Sequence, residues 1–134
     1  MRNYLVDTNH LGAMLDNAFD SRKRLLQQAD LGFRFGTCVP VLCELEVGLL
    51  QTARYSKNRR LLSQLLKPIR IWPLERKDAD FYGKIYAELR AIGRVMSQVD
   101  MFLSALCRRQ NLTLLTTDLD FTALPDIRTE NWLI

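Results

Sequence analysis

Four acidic side chains, Asp7, Glu44, Asp100 and Asp118, fall where the apolar pattern of the chain puts strand ends or the first turns of helices. Carboxylates within a few ångströms of one another repel, and without a cation some of them take up protons. A divalent cation reverses that balance and keeps them ionised. Ligands that are all oxygen suit hard Mg²⁺ or Mn²⁺ rather than zinc or copper. Such an ion lowers the pKa of a bound water and stabilises charge on a phosphodiester, and a second ion can steady the leaving oxygen. These residues therefore point to hydrolytic cleavage of a nucleic-acid backbone.

Each acid also has a plain structural use. Asp7-Thr8-Asn9 can cap a short helix, and Ser97-Gln98-Val99-Asp100 fits a capping box in which Asp100 reaches back to the Ser97 amide. Asp118 and Asp120 are common turn formers, and Glu44 can be a charge on a helix face. Acids fill only 15 of 134 positions, so four of them at one sheet edge by chance is improbable. Helix geometry chooses between neighbours: Glu44 and Glu46 lie about 200° apart around a helix, so only one can face the site. Leu42, Leu45 and Leu49 mark the buried side; Glu44 borders it with Gly48, where a missing side chain would let backbone approach. Asp118 and Asp120 stay open as alternatives, because extended residues two apart share a face.

The elements that must position these acids alternate. Tyr4-Leu5-Val6 reads as a buried strand ending at Asp7. Asp16 is placed to cap a helix running to Asp30, and Phe33–Val39 is a second strand. Pro40 opens a helix to about Arg54, and Ser56 opens another that Pro68 stops. Ile69–Trp72 is a strand and Glu75–Arg94 the longest helix, with Tyr82, Ile85, Tyr86, Leu89 and Ile92 as one apolar stripe for the core or a dimer surface. Ser97 starts a further helix, Thr113–Thr116 is a strand, and a last one is expected near Asn131–Leu133. Strands alternating with helices predict an α/β domain with a mostly parallel sheet, spanning residues 1–134 without a linker. In such sheets ligands bind outside the carboxyl ends of the strands, which is where the four acids fall.

Composition narrows the function classes. No apolar run is long enough to span a membrane, and the stretch before Asp7 is too short for a signal peptide, so a cytoplasmic protein is expected. Cys38, Cys43 and Cys107 form neither a disulfide framework nor a C-x-x-C metal pair, and read as buried small hydrophobes. The net charge of +4 and pI near 9.2 favour a polyanionic partner. Arg22-Lys23-Arg24, Lys57/Arg59/Arg60 and Arg108-Arg109 are basic clusters, each more readily a solvated helix face than a phosphate contact. His10 is the sole histidine and reads as a surface residue at a helix start, which excludes a two-histidine ribonuclease. Neither G-x-G-x-x-G nor G-x-x-x-x-G-K-[ST] occurs.

Leu5-Val6-Asp7-Thr8-Asn9, Cys43-Glu44-Leu45-Glu46-Val47-Gly48, the Arg90–Asp100 stretch with Ser104-Ala105, and Leu114–Asp118 with Phe121 and Asn131-Trp132 stand in order along almost the whole chain. In these motifs the sequence resembles the PIN-domain family, specifically the VapC toxins of bacterial toxin–antitoxin pairs. The resemblance implies a three-layer α/β/α fold and a Mg²⁺- or Mn²⁺-dependent endoribonuclease, with structured RNA such as tRNA or rRNA as target. It also implies a homodimer and a cognate VapB-type antitoxin that blocks the acidic pocket. Asp7, Asp100 and Asp118 would be the principal metal ligands, with Glu44 ligating directly or through water. Thr8, Asn9, Thr116 and Asp120 would support them. A receiver domain needs an acidic pair after one strand and a late lysine, but Asp7 has no acidic neighbour and the last lysine is Lys84. A haloacid-type phosphatase needs D-x-D where this chain has Asp7-Thr8-Asn9. The remaining alternative is a non-catalytic RNA-binding or protein-interaction module on the same fold.

Overall fold

Tyr4, Leu5 and Val6 are all buried, the continuous apolar run that a strand covered on both faces requires. In the computed structural model, which describes residues 2–134 and leaves Met1 outside them, this run is the middle of a five-stranded parallel sheet. The elements are β1 (Asn3–Val6), α1 (Thr8–Leu15), α2 (Ser21–Asp30), β2 (Arg34–Thr37), α3 (Val39–Leu50), α4 (Tyr55–Leu65), β3 (Arg70–Ile71), α5 (Arg76–Ala91), α6 (Gln98–Gln110), β4 (Thr113–Leu115) and β5 (Thr129–Glu130). Short 3-10 turns cover Ala18–Asp20 and Leu119–Ala123.

The strand order is β3-β2-β1-β4-β5. β1 pairs with β2 at Leu5↔Gly36 and with β4 at Leu5↔Leu114. The chain first winds from β1 toward β3, then crosses back over β1 to β4. Right-handed crossovers in opposite directions put their helices on opposite faces of the sheet. Accordingly α1 packs with α2, α3 and α4, while α5 and α6 pack as a pair. The three-layer α/β expectation is met.

Several boundaries differ from the sequence reading. Asp16 is the C-cap of α1 and α2 begins only at Ser21; the Asn17 Oδ1 accepts from the Arg22 and Lys23 amides at 3.1 and 3.2 Å and ties the intervening turn to the first turn of α2. The last strand is Thr129–Glu130, fixed by pairing of Thr129 with Leu114; Trp132 instead turns inward against Tyr4 and Phe35. The expected strand Phe33–Val39 pairs only over Arg34–Thr37. α5 stops at Ala91, where Gly93 takes φ +67° and ends the helix. Its stripe divides: Ile85 and Leu89 are core, whereas Tyr86 and the following Ile92 are exposed. Cys38 and Cys107 are buried as expected, but Cys43 is exposed because it lies on the outer side of α3.

Gly36, in β2, is a packing requirement. A Cβ there would sit 2.2 Å from the Trp72 indole nitrogen, which donates to the Tyr4 carbonyl at 2.9 Å. Gly48 carries no such constraint, since an added Cβ meets open space, so the close approach expected there does not occur.

Candidate active site

The reversal of strand order lies between β1 and β4, and in open α/β sheets the crevice for ligands opens at that point, beyond the carboxyl ends of the strands. Asp7 is the first residue beyond β1. Its amide still donates to the Leu115 carbonyl of β4 at 3.1 Å, so the sheet itself fixes its backbone. The residue is extended and caps α1, its Oδ1 accepting from the His10 amide at 3.2 Å. Only 7% of Asp7 is exposed. The buried Thr37 hydroxyl donates to the Val6 carbonyl at 2.9 Å and steadies the same strand end from β2.

Asp118 follows β4. Its amide donates to the Thr116 hydroxyl at 3.0 Å, and its Oδ1 accepts from the Asp120 amide at 2.8 Å. Thr116 thus shapes the turn that carries Asp118. Asn9 joins the two strand ends, its Nδ2 donating to the Thr117 hydroxyl at 3.1 Å. Asp120 turns to the surface, 3.9 Å from Arg94.

Glu44 reaches the site from α3. The Thr8 hydroxyl donates to its Oε1 at 2.7 Å. Glu46, two residues on, is paired instead with Arg59 through two nitrogen–oxygen contacts, the division that helix geometry predicts. Asp100 arrives from the first turn of α6, capped by Ser97, whose hydroxyl accepts from the Asp100 amide at 3.1 Å. This is one arm of the expected capping box; the other kind of arm stands at α5, where the Glu75 amide donates to Asp78 Oδ2 at 2.7 Å.

The Asp100 carboxyl, half withdrawn from water, is pushed up to about 6, first by burial and then by the charges of Asp118, Asp7 and Glu44, against a lowering contact with Ser97. The four acids therefore share one electrostatic environment. Among the described residues no three His, Cys, Asp or Glu side chains are drawn into a group that holds a metal ion as they stand. The donors these acids offer are all carboxylate oxygens, the chemistry that Mg²⁺ or Mn²⁺ accepts, with further positions left to water or substrate phosphates.

Beside the acids, a groove of about 320 Å³ runs between α1, α3 and α4, with Thr8, Asn9, Glu44 and Asn58 at its polar edge and Leu45 and Leu62 at its floor. A larger cleft of about 630 Å³, lined by Arg2, Arg24 and Arg128, opens at the amino ends of the strands, away from the acids. One basic cluster is committed whole, and of another only Arg59 is. Arg108 pairs with Glu88 and Asp126, Arg109 with Asp78 and Glu75, and Arg59 with Glu46.

The sequence reading missed His10. Far from being a surface residue, it is fully buried, with Nε2 accepting from the Trp132 amide at 3.0 Å and Nδ1 lying 3.6 Å from Asp7 Oδ1. The available signal was its position three residues after a capping aspartate, just ahead of the mostly apolar and small run Leu11-Gly12-Ala13-Met14.

Residues 4–127 match the family model described as the PIN domain. The chain is 28% identical over 93 residues to Ribonuclease VapC2 of Haemophilus influenzae, covering 69% of this chain and 70% of that protein. In structure it resembles VapBC2 from Rickettsia felis bound to a promoter DNA fragment, with a TM-score of 0.88 at 23% identity over 97% of this chain and 98% of that one. It also resembles DNA-bound VapBC from Salmonella typhimurium, with a TM-score of 0.83 at 21% identity over 98% and 99%.

Proposed function

The chain belongs to the PIN-domain family, and from that premise we propose that it is a metal-dependent endoribonuclease, the toxin of a toxin–antitoxin pair, working as one domain over residues 1–134. The observation that carries this reading is the gathering of Asp7, Glu44, Asp100 and Asp118 into one electrostatic environment at the β1/β4 switch point. The VapC name of the Haemophilus relative supports RNA as the substrate class.

Asp7, Asp100 and Asp118 would hold Mg²⁺ or Mn²⁺, with Glu44 joining directly or through water. Asp118 is preferred to Asp120 because its charge acts on Asp100, while Asp120 faces Arg94. When bound, the cation supplies a water of lowered pKa and charge stabilisation at the scissile phosphate. The chain's own residues supply position. Thr8 orients Glu44, Thr116 sets the Asp118 turn, and Asn9 ties the β1 and β4 ends together. Glu44, at the polar edge of the groove, would help orient an attacking water. Exposed Lys57, next in sequence to the groove residue Asn58 on α4, would be suited to an RNA phosphate.

Two partners follow from the same reading. A second copy would cover the exposed Tyr86, Ile92 and Val95 at and beyond the end of α5. An antitoxin would lie along the groove beside the acids. The alternative is a non-catalytic RNA-binding or protein-interaction module on the same fold. Against it, four acids repel RNA unless a cation is present.

Inducible expression in a bacterial host separates the two. The nuclease reading predicts growth arrest with loss of intact RNA, absent for Asp7→Asn. Arrest by Asp7→Asn equal to that of the unaltered chain would contradict it.

A further inference from the structure

The His10 ring is fully buried at the start of α1, beneath the C-terminal segment. Its Nε2 accepts the Trp132 amide at 3.0 Å, so the ring's hydrogen sits on Nδ1. That Nδ1 has no hydrogen-bond partner, and it stands 3.6 Å from Asp7 Oδ1. An unpaired buried N–H costs about 1–3 kcal/mol. The distance exceeds a hydrogen bond, yet a small turn of the Asp7 carboxylate would close it. The His10 backbone amide already donates to the same oxygen at 3.2 Å.

We infer that His10 is the positioning residue for Asp7, clamping Oδ1 with its backbone and ring N–H groups and leaving Oδ2 as the oxygen that takes a cation. The inference rests on Asp7 as a metal ligand. Groups that orient a ligand from behind fix its geometry, and their loss typically costs about tenfold to a hundredfold in metal affinity. Here the clamp is also tied to the C-terminal segment, because the Trp132 amide selects the ring tautomer that can donate to Asp7. Trp132 is in turn held by Arg24 stacked 4.1 Å over its ring and by its indole N–H, which donates to Glu130 at 3.1 Å.

His10 is the sole histidine, so its ring signals need no assignment. In the metal-free protein labelled with [¹⁵N]histidine, the inference expects a protected N–H at Nδ1 that shifts in Asp7→Asn; a hydrogen on Nε2 overturns it without any variant of His10. Mn²⁺ titration followed by electron paramagnetic resonance is the second arm. His10→Gln retains an acceptor for Trp132 but loses the donor toward Asp7, whereas His10→Asn does the reverse. The inference expects folded His10→Gln to bind Mn²⁺ about tenfold to a hundredfold more weakly, with His10→Asn restoring most of the affinity. His10→Gln binding like the unaltered protein, while Asp7→Asn does not, overturns the inference alone. Asp7→Asn binding Mn²⁺ normally removes the reading of Asp7 as a ligand, and the inference with it.

Discussion

The Thr8 hydroxyl donates to Glu44 Oε1 at 2.7 Å, joining the first turn of α1 to the second turn of α3 across the mouth of the acidic site. A hydrogen bond to a charged acceptor holds the carboxylate in one orientation, while water screens an exposed pair and leaves it little net stability. Thr8→Val keeps the shape and removes the donor. It is expected to lower RNA cleavage about tenfold with little change in melting temperature, since the pair is exposed. A single-turnover assay beside a thermal melt checks this; an unchanged rate would show that Glu44 needs no such restraint.

The raised Asp100 carboxyl sets a pH dependence. Its folded value of about 6 lies above the ordinary 3.8, so between those values the native state binds more protons than the unfolded one. Stability of the metal-free protein should therefore fall as pH rises from about 4 to about 6, and Asp100→Asn should flatten that slope. Mg²⁺ or Mn²⁺ should bind more weakly as pH drops through 6, because protons then compete for the same carboxylate. Melts against pH, with EDTA and with Mn²⁺, check both signs.

Two glycines should respond in opposite ways to the same substitution. Gly36→Ala drives a methyl into the Trp72 indole and is expected to cost about 3 kcal/mol. Gly48→Ala meets open space inside α3 and should stabilise by about 0.5–1 kcal/mol through helix propensity. Urea denaturation of the two variants is the measurement.

Arg109 is a structural cation and not a phosphate contact. It donates to buried Asp78 at 2.6 Å and to the Pro73 carbonyl at 2.9 Å, bracing α6 against the start of α5. Arg109→Ala strands the Asp78 charge, for a loss of about 3 kcal/mol. Mn²⁺ affinity of the folded fraction should be unchanged; a large loss of affinity would mean that this brace also shapes the acidic site.

The parts of the site set by short-range pattern were legible in the sequence. Tyr4-Leu5-Val6 and Thr113-Leu114-Leu115 announce buried strands, and Asp7 and Asp118 follow from their ends. Glu44 was separable from Glu46 because α-helical angle alone decides which faces Thr8. Contacts between distant segments were not legible. His10 is buried because the C-terminal segment folds over α1, and nothing near residue 10 encodes that Trp132 will reach it. Likewise β5 ends at Glu130 because register with β4 stops there, although Trp132 and Leu133 have equal strand propensity. The start of α2 was placed too early, at Asp16: left-handed backbone at Asn17 (φ 51°), Phe19 (φ 53°) and Asp20 (φ 54°) inserts a turn, and the helix begins only at Ser21.

The most direct test of the central claim is cleavage of total bacterial RNA by the purified chain in Mg²⁺, Mn²⁺ or EDTA, beside folded Asp7→Asn and Asp118→Asn, with fragment ends mapped. Discrete fragments that require the divalent ion and vanish in both variants are the predicted result. Cleavage that persists in EDTA, or that the variants carry out at the same rate, would contradict it.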